Sequence, residues 1–145
     1  LPLHPFYDFM IIDCPPAINL ITVNAMVAAT ASIIPVQCEY FALEGLAYLT
    51  KTQVLIRENF NPDLDLLGIL PTMYDSRTSL NRQVIANIES VFPNQVFSAI
   101  PRNIKLSEAP SHGLPVQLYA PKSKGAKRYQ QFTQEVLHRV KQPAT

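Results

Sequence analysis

Glycine is scarce in this chain and tryptophan is absent. Gly45, Gly68, Gly113 and Gly125 are the only glycines in 145 residues, and they stand far apart. No glycine-rich loop is therefore available to wrap a phosphate in closely spaced backbone N–H groups. The two cysteines, Cys14 and Cys38, make no metal or disulfide pattern. No apolar run approaches the roughly 18 residues of a membrane helix. The first residues lack the basic-then-apolar order of a secretory signal. These absences lead to the expectation of a cytoplasmic chain in a reducing compartment, with no membrane partner.

Thirteen prolines are the opposite extreme, and 48% of the residues are apolar. That is enough for a real core, and the length suits a single domain over residues 1–145. Net charge is only +1, but it is unevenly placed. Residues 1–101 hold four Lys/Arg and nine Asp/Glu, a balance of −5; residues 102–145 hold eight and two, a balance of +6. Such asymmetry fits an anionic partner for the basic part, and it fits a solvated surface with a basic tail equally well.

The apolar pattern alternates between strands and helices. Phe9-Met10-Ile11-Ile12, Ile33-Ile34-Pro35-Val36, Leu64 to Leu70, and Val96 to Ile100 are short apolar runs. Runs of this kind suit strands buried on both faces of a parallel sheet. Between them, Ala17 to Ala29 is alanine-rich and helical in character. Leu46, Leu49, Ile56 and Phe60 mark a longer helix stopped by Asn61-Pro62. Leu80, Val84, Ile85, Ile88, Val91 and Phe92 follow helical spacing, and Phe132, Val136, Leu137 and Val140 give a last helix one apolar face. The expected fold is α/β, a predominantly parallel sheet with helices on both faces. Ile100 to Lys124, with four prolines, is expected to be a long ordered loop with one short helix near Ser107.

Asp13 ends the first apolar run and is followed by Cys14-Pro15-Pro16. Open α/β sheets bind ligands at the carboxyl ends of their strands. In phosphate-loop NTPases an aspartate so placed helps hold Mg²⁺, directly or through water. A turn-forming aspartate explains the same residue, so the pattern alone leaves both readings open. Pro15 and Pro16 stiffen the strand exit, which suits a segment that must sense a γ-phosphate.

Tyr7-Asp8-Phe9-Met10-Ile11-Ile12-Asp13-Cys14-Pro15-Pro16 resembles the second nucleotide motif of the ParA/Soj family of partitioning ATPases. Further blocks follow in family order. They are Ile34 to Gly45, Thr72-Met73-Tyr74-Asp75-Ser76-Arg77-Thr78, Ile100-Pro101-Arg102-Asn103, Leu106 to Gly113, and Tyr119 to Gly125. Together they cover nearly all of the chain beyond Pro5. MinD and the nitrogenase iron protein, related branches, fit these blocks less well.

The resemblance implies an ATPase with a deviant Walker motif that dimerises around two ATP molecules. The ATP-bound dimer coats nucleoid DNA without sequence preference, and a ParB-type partner stimulates hydrolysis and releases it. That cycle moves plasmids or chromosome origins. The family's phosphate loop, a glycine-rich turn with two lysines, has no counterpart here. The chain begins with Leu1 rather than Met and is therefore expected to be the C-terminal two-thirds of such a protein. Alone, it is expected neither to bind ATP tightly nor to hydrolyse it, and to leave sheet edge and apolar helix faces uncovered. Two other readings stay in play: a non-catalytic module that binds DNA or a partner protein without ATP, and a MinD-like membrane-cycling ATPase.

By the same resemblance, Asp13 contributes to a magnesium site through water, with Pro15 and Pro16 as the switch segment. Thr72, Met73, Pro101, Arg102 and Asn103 surround the adenine. Arg77, Arg102, Lys105, Lys122 and Lys124 are the DNA candidates, since phosphates need only cations on one face. Lys127 and Arg128 extend that set, although a lysine such as Lys127 or Lys141 also serves simply to solubilise a surface. Gln37, Glu39 and Tyr40 follow a strand end and suit a second subunit or nucleotide; a first-turn acid explains Glu39 as well. Glu108 with Ser111-His112 lacks a paired nucleophile and reads as loop structure. Cys14 and Cys38 belong to different blocks, which argues against a bridging cluster. After Val140 no bulky apolar residue remains for a membrane anchor, so the last helix is expected to pack on the sheet.

Overall fold

The computed structural model describes residues 6–141. Its elements alternate as far as the third helix and are helical from there on: α1 (Leu20–Ala28), β1 (Ala31–Gln37), α2 (Ala42–Asn59), β2 (Asp65–Thr72), α3 (Ser79–Val91), α4 (Ile104–Glu108), a 3₁₀ turn (Ala109–His112), α5 (Val116–Tyr119) and α6 (Lys124–Lys141). Residues 142–145, on which the expectation about a membrane anchor partly rests, lie outside the described residues, as do residues 1–5.

β1 and β2 pair in parallel, from Ala31 opposite Asp65 to Gln37 opposite Thr72. On the other side of β2 the chain from Gln95 to Arg102 runs parallel as well. Ile69 donates its N–H to Gln95 O (2.8 Å) and accepts from Phe97 N (2.8 Å). Ile100 N donates to Pro71 O (2.8 Å), and Tyr74 N to Ile100 O (3.0 Å). β2 is thus central, and Ile69 is fully buried.

The register skips Leu67. Ser32 faces Leu66, while Ile33 faces Gly68. One extra residue in one strand is a bulge, and it reverses the facing of everything beyond it. Leu67 and Ile69, two apart, would share a face in a regular strand. Here Ile69 joins Ile34, Val36, Leu46, Val84 and Ile88 under α2 and α3. Leu67 instead joins Leu70, Phe97, Ile100, Tyr129, Phe132 and Val136 under α6. The bulge lets both sides of a short strand carry a core, and helices cover both faces as expected.

The expected strand at Phe9–Ile12 does not form. Among the described residues no strand ladder forms there, Ile12 O accepting only from Cys14 Sγ (3.9 Å), and Phe9, Met10, Ile11 and Ile12 are 53%, 59%, 92% and 48% exposed. A strand needs a ladder partner and covered faces, and neither is provided for this run. The first helix is also shorter than Ala17 to Ala29. It starts when Asn19 caps it, its Oδ1 accepting from Ile21 N (3.0 Å) and Thr22 N (3.2 Å). At its other end Asn61 donates to both Met26 O and Ala29 O (3.0 and 2.7 Å), tying α1 to the end of α2.

The stretch from Ile100 to Lys124 is more helical than expected, with three short turns rather than one. Asn103 caps α4 by accepting from Lys105 N (3.0 Å), and Gly113 ends the 3₁₀ turn at φ 64°, a left-handed conformation suited to glycine. Ala109, Val116 and Ala126 form a third small core there. The last helix packs on the sheet as expected, through Tyr129, Phe132 and Val136, although Val140 is 46% exposed. No helix among the described residues is long and apolar enough to cross a membrane.

Candidate functional site

Three backbone exits meet at the carboxyl end of the sheet: Gln37-Cys38 after β1, Thr72-Met73-Tyr74 after β2, and Pro101-Arg102-Asn103 after the third segment. Hydrogen bonds stitch them together. Cys38 N donates to Thr72 O (3.1 Å), and Thr72 Oγ1 donates to Val36 O (3.3 Å). Tyr74 bridges to Pro101 in parallel, and Arg102 N donates to Tyr74 O (3.0 Å). All five residues assigned to the adenine, Thr72, Met73, Pro101, Arg102 and Asn103, therefore lie on two adjoining exits.

Met73 holds φ at 54°. A non-glycine residue there carries strain of the order of 1 kcal/mol or more, a state that persists where the surroundings over-determine it. It is fixed between the Cys38–Thr72 and Tyr74–Ile100 bonds, and its side chain is left 40% exposed at the rim.

Asn81 is the residue the sequence pattern did not single out. Its Nδ2 donates to Cys38 O (2.6 Å), and its Oδ1 accepts from Asp75 N (2.8 Å). One amide on α3 thus locks the β1 exit to the loop after β2. The only sequence signal was a polar residue in the first turn of an apolar-periodic helix, and such residues usually face water. Cys38 beneath it is buried, and burial pushes its thiol up to about 11. It is an inert core group, unlike exposed Cys14.

The basic candidates divide into two kinds. Arg77 is held by Asp75 through Nε–Oδ1 (3.0 Å) and Nη2–Oδ2 (2.7 Å). Asp75 is held down at about 2, first by its hydrogen bonds with Arg77 and only weakly by the charge of Arg102. Lys105 Nζ meets Glu108 Oε2 at 2.7 Å, and Tyr119 Oη donates to the same oxygen at 2.9 Å. That double hydrogen bonding holds Glu108 below the usual carboxylate range. Arg102, Lys122 and Lys124 are exposed and belong to neither of these pairs. The expected loop role of Glu108 is thereby given a form, an anchor for Lys105, Tyr119 and, through its carbonyl, Ser111 Oγ (2.7 Å). The start of α6 comes close to α4 because Gly125 has no side chain: a Cβ there would lie 2.8 Å from Leu106 Cγ. Backbones carrying Lys105 and Lys124 consequently flank one contact.

Asp13, Pro15 and Pro16 are exposed, and no described contact ties them to the exits of β1 and β2. The structure does not bring them together with the adenine group of residues. Among the described residues no group of three His, Cys, Asp or Glu is placed to hold a metal. Asp13 alone is one hard oxygen donor, suited to an indirect role toward Mg²⁺ but insufficient as a site.

A family model described as "AAA domain" matches residues 2–66. The chain is 50% identical over 139 residues to the chromosome partitioning protein ParA of Myxococcus xanthus, covering 95% of this chain and 49% of that protein. It is 50% identical over 131 residues to the sporulation initiation inhibitor protein Soj of Bacillus subtilis, covering 90% and 52%. Among solved structures, it is similar to cobyrinic acid a,c-diamide synthase of Mycobacterium smegmatis. The TM-score is 0.77 at 34% identity, over 99% of this chain and 52% of that one. The same enzyme with bound ATP analog and magnesium matches with a TM-score of 0.72 at 34% identity, over 91% and 48%. The chain thus spans about half the length of the curated relatives it matches. Over that span, the chain belongs to the ParA/Soj family of partitioning proteins.

Proposed function

We propose that this chain is the base-reading and DNA-facing portion of an ATP-dependent DNA-segregation protein. The observation that carries the reading is the joining of two exits, Thr72-Met73-Tyr74 and Pro101-Arg102-Asn103, by the Tyr74–Pro101 bridge beside exposed cations. Half-identity to the M. xanthus ParA and B. subtilis Soj proteins supports it. The M. smegmatis structure with ATP analog and magnesium supports nucleotide use by this fold.

In this reading Met73 lends an apolar edge to the adenine, Pro101 a rigid one, and backbone groups of Thr72, Arg102 and Asn103 read the base. ATP with magnesium would supply the cleavable γ-phosphate. Asp13 would orient a magnesium-bound water, with Pro15 and Pro16 limiting how far that segment moves. The phosphate cradle and its lysines are not among the residues of this chain, so the chain alone binds ATP weakly and does not hydrolyse it. Arg77, Arg102, Lys105, Lys122 and Lys124 contact duplex phosphates without reading sequence. A homodimer formed with ATP doubles those contacts, which makes DNA affinity depend on nucleotide. A ParB-type protein then stimulates hydrolysis and release, on the nucleoid in the cytoplasm. α6 spends its apolar face on the sheet, which favours this reading over a membrane-cycling one.

The test is duplex DNA binding with and without ATP, over a salt series, on this chain and on the intact protein that carries it. Binding by the intact protein only, and only with ATP, is the expected result. Equal binding by both without nucleotide would overturn the switch and leave a simple DNA-binding module.

A further inference from the structure

Among the described residues there are two side-chain ion pairs, Arg77–Asp75 and Lys105–Glu108. Both cations are DNA candidates, and both pairs are accessible. Side-chain exposure is 88% for Arg77 and 28% for Asp75, 49% for Lys105 and 37% for Glu108. Arg102 lies between them in sequence and close enough for its charge to be felt at Asp75. The two pairs and Arg102 together bring three cations, and a carboxylate is paired with the first and the last of them.

Neither carboxylate is where it is by default. Asp75 is fixed by Asn81, which accepts its N–H, and it accepts Arg77 N (3.0 Å) as well as the guanidinium. Glu108 is fixed by Tyr119 Oη, and Tyr119 is stacked on His112 with ring centroids 4.7 Å apart. Exposed ion pairs of this kind add little to stability. Their larger effect falls on an incoming polyanion. Each pair presents no net charge, so a phosphate approaching the cation also approaches a fixed carboxylate.

Resting on the DNA-binding reading above, we infer that Asp75 and Glu108 are built-in competitors of the DNA phosphates. They occupy Arg77 and Lys105 in the free protein and hold non-specific DNA affinity down. A moderate affinity is what a protein must have if it is to release duplex and rebind. The bidentate pair leaves Nη1 of Arg77 without a carboxylate contact. Phosphate can thus engage before Asp75 lets go, and exchange needs no fully bare intermediate.

The experiment uses the intact protein with ATP and magnesium, a random-sequence duplex, and a salt series. The variants are Asp75→Asn, Glu108→Gln and Arg77→Ala. Asparagine at 75 can still accept from Arg77 N, and glutamine at 108 can still accept from Tyr119 Oη, so the loops keep their bonds; circular dichroism checks this. Each neutralising variant is expected to tighten binding at low salt. Each should also steepen the slope of log K against log salt by about 0.9, one further phosphate neutralised. Arg77→Ala is expected to weaken binding and flatten the slope. Asp75→Asn and Glu108→Gln that bind as wild type, or more weakly, would overturn the inference and make the carboxylates positioning groups. If Arg77→Ala changes neither affinity nor slope, the DNA-binding reading itself falls, and this inference with it.

Discussion

Arg139 closes the bulge in β2, and its removal is the sharpest test of how this sheet is held. The extra residue, Leu67, leaves a carbonyl that the ladder to β1 cannot use. Arg139 Nη1 donates to that oxygen at 2.8 Å, and Nη2 donates to Val96 O at 2.9 Å on the neighbouring segment. The guanidinium lies 3.9 Å from the centroid of Phe97. Gly68 makes room for it: a Cβ there would meet Gln95 O and Phe97 Cε2 at 2.6 Å, and Arg139 Nη1 as well.

A hydrogen bond from a charged donor contributes about 1.5–3 kcal/mol net. Arg139 is only partly buried, so the low end applies to each of its two bonds. Stacking on Phe97 adds about 0.5–1 kcal/mol, and water returning to the two carbonyls recovers a part. Arg139→Ala is expected to cost about 2–4 kcal/mol, a large share of an ordinary domain's stability. Arg139→Lys keeps the charge but has no planar fork, and should cost about 1–2 kcal/mol. Gly68→Ala should be at least as harmful as Arg139→Lys, because the obstructing atom at Gln95 is backbone. Urea unfolding followed by circular dichroism reads all three, with an unchanged m-value as the sign of two-state comparison. An Arg139→Ala variant within about 0.5 kcal/mol of wild type would refute the reasoning and show that water alone satisfies the bulge.

Two further outcomes follow from the sheet edge. Asn81→Ala leaves Asp75 N and Cys38 O without their partner and should cost about 1–3 kcal/mol in the same unfolding assay; a neutral result would show that the two exits hold each other without α3. The Asp75 carboxyl should titrate at about 2 rather than 3.8 in an NMR series. Because the folded value is depressed, the stability linked to this group is present above pH 3.8 and is lost as pH falls toward 2. Arg77→Ala should return the midpoint to the ordinary range, and a midpoint that stays near 2 would remove Arg77 as the cause.

Much of the fold was legible because periodicity reports burial. Val84 and Ile88 are buried on α3, Ile34 and Val36 in β1, and the Asn61-Pro62 stop falls two residues past α2. Phe9–Ile12 misled for the same reason. An apolar run states what a segment needs, and only a neighbouring strand can meet that need. Arg139 was illegible for the opposite reason, since an arginine on a basic helix looks like solvent-facing charge until a bulge in β2, far away in sequence, exposes a carbonyl to it. Of the candidate site, the blocks holding Thr72-Met73 and Pro101-Arg102-Asn103 come to adjoin at one sheet edge. They could not tell that Arg77 and Lys105 already have carboxylate partners, because pairing depends on loop geometry that charge counts do not contain.

The sheet edge also bears on how two ligands could influence each other. In the proposed reading, Thr72 and Met73 face the base while Arg77 faces DNA, within one loop of a few residues. Pro101 and Arg102 repeat that arrangement on the next exit. The two loops are bonded by the Tyr74–Pro101 bridge and by Arg102 N to Tyr74 O, and Asn81 clamps the first of them to β1. Coupling between sites requires an element whose arrangement both ligands bias. In that reading the same backbone would carry both sets of contacts, with Met73, strained at φ 54°, between them. A base that relaxes or deepens that strain must shift Asp75 and Arg77 through the two peptide units that separate Met73 from Asp75. Nucleotide state would then reach the DNA face without passing through the core.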